Sequence, residues 1–248
     1  MSGHSKWSTI KRQKGIADNR RSQIFTKLGR EVSVAARQGG PDPETNSRLR
    51  IAMERARDAN MPKDNVERAI KRGTGGGDAA ALEEVVYEGY GPGGIAILVE
   101  ALTDNRNRTV SDIRNVFSKA GGNLAEAGSV AWLFEMRGLI AVDVNSADPE
   151  ELALRAMDTG AEDVQVEAGS VEVYTRPETL SAVRQALSEA DVPIASAEIA
   201  QVPKNTVPLE ERQAEQVLRL LDRLDELEDV QRVSSNADFP EEALAAYA

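Results

Sequence analysis

Apolar positions along residues 18–38 recur at the spacing of one helix face. Ile24, Phe25, Leu28, Val32, Ala35 and Ala36 fall within one arc at about 100° per residue. Arg20, Lys27, Arg30 and Arg37 fall on the opposite arc, with Arg21 and Val34 as exceptions. Gly39-Gly40-Pro41 ends that helix. A second helix is expected over residues 46–60. Leu49, Ala52, Met53, Ala56 and Ala59 form its stripe, and Arg48, Arg50, Arg55 and Arg57 lie off it. Pro62 opens a third, short helix carrying Val66, Ala69 and Ile70, with Lys63, Arg68, Lys71 and Arg72 turned outward. Residues 2–17 show neither helical nor strand period and read as a mobile basic arm. The glycine-rich stretch 73–77 reads as a linker.

Beyond the linker the pattern changes from helical to β-branched runs. Strands are expected at 85–87 and 95–99, joined by the glycine-rich turn 89–94. A helix over 106–119, closed by Gly121-Gly122, leads to a strand at 130–134. A strand at 139–144, a helix at 149–157, strands at 163–167 and 171–174, a helix at 178–190 and a strand at 197–202 follow. That run spells β-α-β-β-α-β, the split βαβ pattern, and looks self-contained. A helix at 209–228 and a strand at 230–234 are left without a sheet, while residues 82–136 lack a second covering helix. Docking the C-terminal pair back onto 82–136 solves both problems and makes the split βαβ unit an insertion. The expected fold is therefore α+β and multidomain. It comprises a helical part over 1–78, an α/β part over 79–137 with 205–240, and an inserted ferredoxin-like part over 138–204.

Charge sharpens that division. The chain of 248 residues carries a net charge of -11. Residues 1–78 nevertheless hold 17 Lys/Arg against 9 Asp/Glu, leaving 13 against 32 for the remainder. Such a split predicts a basic docking module on an acidic body that repels polyanions and so orients the molecule on one. There is no cysteine, which excludes disulfides, thiolate nucleophiles and cysteine-ligated metals. The N-terminus lacks the apolar stretch of a secretory signal, and no apolar run is long enough to span a bilayer. A cytoplasmic location is expected.

The candidate nucleic-acid contacts are Lys6, Trp7, Lys11, Arg12, Lys14, Arg20, Arg21, Lys27, Arg30, Arg37, Lys63, Lys71 and Arg72. Cations that pair with phosphates release condensed counterions, so binding is expected to weaken steeply with salt. Trp7 lies among them, where it could stack on an unpaired base or wedge into a groove. A solvated helix face with a loose tail is the plain alternative. A second candidate is an anion site at Arg106 and Arg108, at the start of a helix whose backbone N–H groups are free. Ordinary capping by Asp104 or Asn107 explains the same residues.

Enzymatic signatures are missing. Gly89-Tyr-Gly-Pro-Gly-Gly94 fits a dinucleotide fingerprint literally but precedes a strand instead of opening a helix, so it reads as a hairpin turn. His4 is the only histidine and has no orienting group beside it. No catalytic residue, metal site, cofactor or small-molecule substrate is expected.

At the level of whole motifs the chain resembles a known family. Gly3-His-Ser-Lys-Trp7, Ile24-Phe25-Thr-Lys-Leu28, Asn60-Met-Pro-Lys-Asp-Asn65, Glu67-Arg-Ala-Ile-Lys-Arg-Gly73, Tyr87-Glu-Gly-Tyr-Gly-Pro-Gly93 and Thr103-Asp-Asn-Arg-Asn-Arg-Thr109 match the YebC/PmpR family. The resemblance runs on to Ser235-Asn236-Ala237-Asp238. It implies three domains, the third inserted in the second. It also implies regulation of gene expression, since members are described as probable transcriptional regulators and a mitochondrial branch as a translational activator of cytochrome oxidase.

Three functions stay open at this point. The first is a DNA-binding transcriptional regulator. The second is a translational activator on rRNA or the ribosome. The third is a protein-interaction or effector-sensing module. The abundance of arginine without recognisable helix-turn-helix spacing suits backbone-dominated DNA binding or structured RNA.

Overall fold

The computed structural model describes residues 18–75, 82–144, 148–167 and 170–247. In chain order its elements are α1 (Asp18–Gly39), α2 (Ser47–Asp58), α3 (Lys63–Gly73), β1 (Glu83–Tyr90), β2 (Ala96–Thr103), α4 (Arg106–Lys119), β3 (Asn123–Leu124) and β4 (Phe134–Val142). There follow α5 (Pro149–Met157), β5 (Asp163–Glu167), β6 (Ser170–Thr175), α6 (Leu180–Glu189), β7 (Ile194–Pro203), β8 (Val207–Pro208), α7 (Glu211–Asp225), β9 (Val230–Ser235), β10 (Ala237–Asp238) and α8 (Glu241–Tyr247). Two compact units result. One spans Glu135–Val202; the other joins the residues up to Phe134 with those from Pro203 onward.

In the larger unit, α1, α2 and α3 pack through Val32, Ala35, Ala36, Leu49, Ala52 and Ala69. These are small side chains, so the helices approach closely. A Cβ on Gly73 would stand 2.1 Å from the carbonyl oxygen of Ser33 and 3.1 Å from the Ala36 Cβ. The end of α3 therefore lies against the C-terminal turns of α1. Asn46 caps α2 by accepting from the Leu49 N–H at 3.0 Å, and its amide donates to the carbonyls of Ala35 and Gly40 at 2.8 Å. One side chain thus fixes the turn between two helices.

The same unit holds a sheet in the order β3-β1-β2-β9. β1 and β2 form an antiparallel hairpin, and its tip needs glycine because Gly93 and Gly94 have φ of 77° and 75°. β9 pairs antiparallel with the other edge of β2, across the whole of the intervening segment. α4 and α7 cover one face of this sheet. Ile113, Phe117, Val217, Leu218, Leu221 and Leu224 meet Ile97, Val99, Val230 and Val233 there. Gly89 leaves room for the Phe117 ring, which would stand 2.6 Å from a Cβ at that position. A small parallel pair, β8 with β10, and α8 complete this core.

The smaller unit has the sheet order β5-β6-β4-β7. Its connectivity is β4-α5-β5-β6-α6-β7, the split βαβ arrangement. Ile140, Val142, Val171, Val173, Leu152, Leu180, Val183 and Leu187 are among its buried aliphatics.

Two sequence expectations are corrected. The strand expected at 130–134 is a 3-10 turn at Ala131–Leu133, and the third strand of the first sheet is instead β3. The cause is the buried carboxylate of Glu88. It accepts from the N–H groups of Gly128, Val130 and Ala131 at 2.6, 2.6 and 2.8 Å, removing donors a strand would use. The strand expected at 139–144 instead begins at Phe134 and ends at Val142. Gly138 lies inside it because Thr175 Oγ1 would stand 2.1 Å from any Cβ there.

Candidate nucleic-acid interface

The helical part carries two populations of cations. One faces inward. Lys27 pairs with Asp225 at 3.5 Å, and Arg30 pairs with Glu228 at 2.5 Å and Asp229 at 2.9 Å. Arg48, at the surface, also reaches a carboxylate, Glu84, at 2.8 Å. Glu31 on α1 reverses the polarity, accepting from Arg55 at 2.5 Å and from Arg232 of β9 at 3.2 Å. α1 is thereby bound to the turn after α7 and to β9 through charge. Lys27 and Arg30, both expected as nucleic-acid contacts, are thus engaged by carboxylates of the same chain.

The other population faces solvent. Arg37, Lys71 and Arg72 are exposed, and among the described residues no carboxylate pairs with them. Each sits in the last turn of its helix, where a cation is favourable at the negative end of the helix dipole. The close approach of Gly73 to Ser33 and Ala36 draws the ends of α1 and α3 to one edge of the helical part. Lys63 is exposed at the start of α3, 3.6 Å from Glu67. Arg21 is exposed and lies over the Phe25 ring, 5.7 Å from its centroid. Arg20 falls in the first turn of α1, but its side chain lies outside the described residues, as do Lys6, Trp7, Lys11, Arg12 and Lys14.

Arg106 and Arg108, expected to hold an anion, each meet a carboxylate of the protein itself. Arg108 donates to Asp229 and to Asp104, both at 2.8 Å, and Arg106 pairs with Glu83 at 3.4 Å. Asn105, rather than Asp104 or Asn107, is the N-cap of α4, accepting from the Arg108 N–H at 3.1 Å.

Asp229 is the centre of this arrangement and carries no obvious sequence signature. It is 7% exposed and accepts from Arg30, Arg108, the Thr109 hydroxyl at 2.8 Å and the Thr103 hydroxyl at 3.3 Å. Burial works against its charge, but the bonds from Arg108, Thr109 and Arg30 outweigh burial and hold its carboxyl below the usual range. Glu88 follows the same logic. At 6% exposure burial opposes ionisation, and the backbone N–H groups around Gly128 and Val130 overcome it, so its pKa is also lowered. The hint available in the sequence was the acidic run Asp225-Glu-Leu-Glu-Asp229 immediately before a strand. Among the described residues no cluster of His, Asp or Glu could hold a metal ion, and no helix is long and apolar enough to cross a membrane.

The comparisons with known proteins agree across the chain. Residues 5–76 match the TACO1/YebC protein N-terminal domain, and residues 82–237 match the TACO1/YebC second and third domain. This chain belongs to the TACO1/YebC family. A probable transcriptional regulatory protein of Dehalococcoides mccartyi (strain CBDB1) is 56% identical over 247 residues, covering 100% of this chain and 98% of that protein. One from Thermomicrobium roseum is 56% identical over 247 residues, covering 99% of this chain and 100% of its own length. The crystal structure of a conserved hypothetical protein, Aq1575 from Aquifex aeolicus, superposes with a TM-score of 0.83 at 49% identity. It covers 90% of this chain and 93% of that one.

Proposed function

We propose that this TACO1/YebC protein is a cytoplasmic, nucleic-acid-binding regulator of gene expression, and that it grips phosphate with the outward cations of its helical part. Relatives named as transcriptional regulatory proteins support regulation rather than catalysis. The observation that carries the reading is the division of cations just described. Carboxylates of the acidic body engage Lys27 and Arg30, whereas Arg37, Lys71 and Arg72 stay on one solvent-facing edge. The arm cations Lys6, Lys11, Arg12 and Lys14, with Arg20, Arg21 and Lys63, would extend that edge along a polyanion. Trp7 would add a stacking contact. In this scheme residues 1–78 are the docking domain, 79–137 with 205–240 the acidic platform, and 138–204 an inserted ferredoxin-like domain.

DNA is the first target in this reading, and rRNA on the ribosome is the second. A specific feature favours phosphate contact over base readout on either target. Arg68 donates to Asn65, engaging the one amide side chain of α3, so the helix offers point cations and not a base-reading amide. Phosphate contact without base readout suits structured RNA or backbone-dominated DNA.

The test is a salt titration of binding to duplex DNA and to rRNA fragments. The logarithm of affinity is expected to fall linearly with the logarithm of salt, and the slope to flatten in Lys11/Arg12/Lys14→Ala and in Arg37/Lys71/Arg72→Ala. Salt-insensitive binding, or a slope unchanged in both variants, would transfer the function to a protein-interaction module.

A further inference from the structure

Trp132 is 65% exposed, although its sequence neighbours are anchored. Val130 and Phe134 are buried against Ala96 and Leu98 of β2, so the backbone on either side of the indole is fastened to the sheet. The turn between them is held by charge as well. Glu88 takes the N–H groups of Gly128, Val130 and Ala131, and the Tyr90 hydroxyl donates to the Ser129 carbonyl at 3.2 Å. The Leu133 carbonyl accepts from the Lys204 N–H at 2.8 Å. The ring itself is oriented, because its indole N–H donates to the Ser129 carbonyl at 3.1 Å. That bond satisfies the only polar atom of the side chain, so what Trp132 offers to solvent is π surface. Lys204 stands beside it, its ammonium on the Trp132 carbonyl at 2.9 Å.

A lone exposed apolar side chain needs no special account. Here the framework is the unusual part. A buried carboxylate, a tyrosine hydroxyl and a neighbouring lysine together hold one turn whose most prominent exposed group is a large flat ring. Preorganisation of that kind lowers the ordering cost of binding. A protein hot spot would need a surrounding apolar rim to exclude water. Ala131 is small, and Ser129 and Lys204 are polar, so that rim is not supplied by the residues bonded to the turn. A single π face with a cation next to it matches what an unpaired base and its phosphate require.

We propose that Trp132 is a stacking platform for an unpaired nucleobase of single-stranded nucleic acid, with Lys204 at the adjacent phosphate. This rests on the nucleic-acid reading above and adds a second point of contact, outside the basic helical part. It acts on bases, whereas the helical cations act on phosphate.

The experiment uses the full chain with Trp7→Phe as the background, leaving Trp132 the only tryptophan. Short oligouridylate, oligothymidylate and inorganic polyphosphate are titrated at low salt. Both oligonucleotides are expected to quench Trp132 fluorescence, and polyphosphate is expected to bind without quenching. Trp132→Ala in the same background should weaken oligonucleotide binding about 5- to 150-fold, the range of one base–aromatic stack, and leave polyphosphate binding unchanged. Trp132→Phe should recover most of the loss. A difference between the uridylate and thymidylate arms assigns the site to RNA or to DNA. Oligonucleotide binding that is intact in Trp132→Ala, or free of quenching, overturns the stacking site but not the phosphate grip. Failure of polyphosphate and both oligonucleotides to bind overturns the phosphate grip and the stacking site with it. Loss of polyphosphate affinity in Trp132→Ala equal to the oligonucleotide loss would mark the residue as structural and also overturn the proposal.

Discussion

Arg30 and Asp229 lie 199 positions apart and meet at 2.9 Å through Nη1 and Oδ1. The same carboxylate takes Arg108 and Thr109, so one side chain ties α1, α4 and the turn before β9. Removing a hydrogen-bonded charge from such a place leaves its partners partly desolvated and unpaired. Asp229→Ala is expected to lower unfolding free energy by about 2–3 kcal/mol. Urea denaturation measures it. A double-mutant cycle between Arg30→Met and Asp229→Asn should return a coupling of at least about 0.5 kcal/mol. A cycle that closes to zero would mean the pair is a surface ornament.

Acid should loosen the protein in a definite direction. Asp229 and Glu88 are both held below their ordinary pKa when folded. A carboxylate depressed on folding adds stability above its unfolded pKa of about 4 and loses it as pH falls through the folded value. Stability measured by denaturant should therefore be level near neutrality and decline below about pH 4. Asp229→Asn and Glu88→Gln should each show a shallower decline than the parent chain.

Glu88 orders its loop by accepting several backbone N–H groups at once. Glu88→Gln keeps the volume but offers a neutral acceptor with one oxygen in place of two. The expected cost is about 1–3 kcal/mol. Amide exchange should localise the effect, with Gly128, Val130 and Ala131 losing protection before the strands do. A uniform loss of protection across the molecule would contradict the local role.

Gly73→Ala tests the helix approach that gathers the outward cations. The added methyl would meet the backbone carbonyl of Ser33 at 2.1 Å, and backbone yields less readily than a side-chain tip. A destabilisation of about 1–3 kcal/mol is expected, seen as a lowered melting temperature. Phosphate affinity should fall as well, since α3 must shift relative to α1. Unaltered melting and binding would show that this contact is loose in solution.

How much of this was legible beforehand depended on the range of the interaction. Helical stripes such as Leu49, Ala52 and Ala56 are local, and the structure buries them. The alternation of Val164 and Val166 with Val171 and Val173 likewise announces β5 and β6, which pair in that register. The strand misplaced at 130–134 failed because a carboxylate forty positions upstream captures its N–H groups. Nothing in the apolar run itself records that. The roles of Lys27, Arg30 and Arg108 were hidden for the same reason. Cations on a helix look alike in sequence, and only the fold shows which ones meet Asp225, Glu228 and Asp229. The division of charge along the chain was readable, but the neutralisation of one half by the other was not.

β9 joins the first sheet only after nearly all of the chain has been made, and the acidic residues that restrain α1 sit immediately ahead of it. A nascent chain thus exposes its basic helices before their internal counter-charges exist. For that interval Lys27 and Arg30 are open to any polyanion nearby, and the ribosome that is making the protein is the largest one in reach. Completion of the last strand closes that window for Lys27 and Arg30 and leaves Arg37, Lys71 and Arg72 exposed.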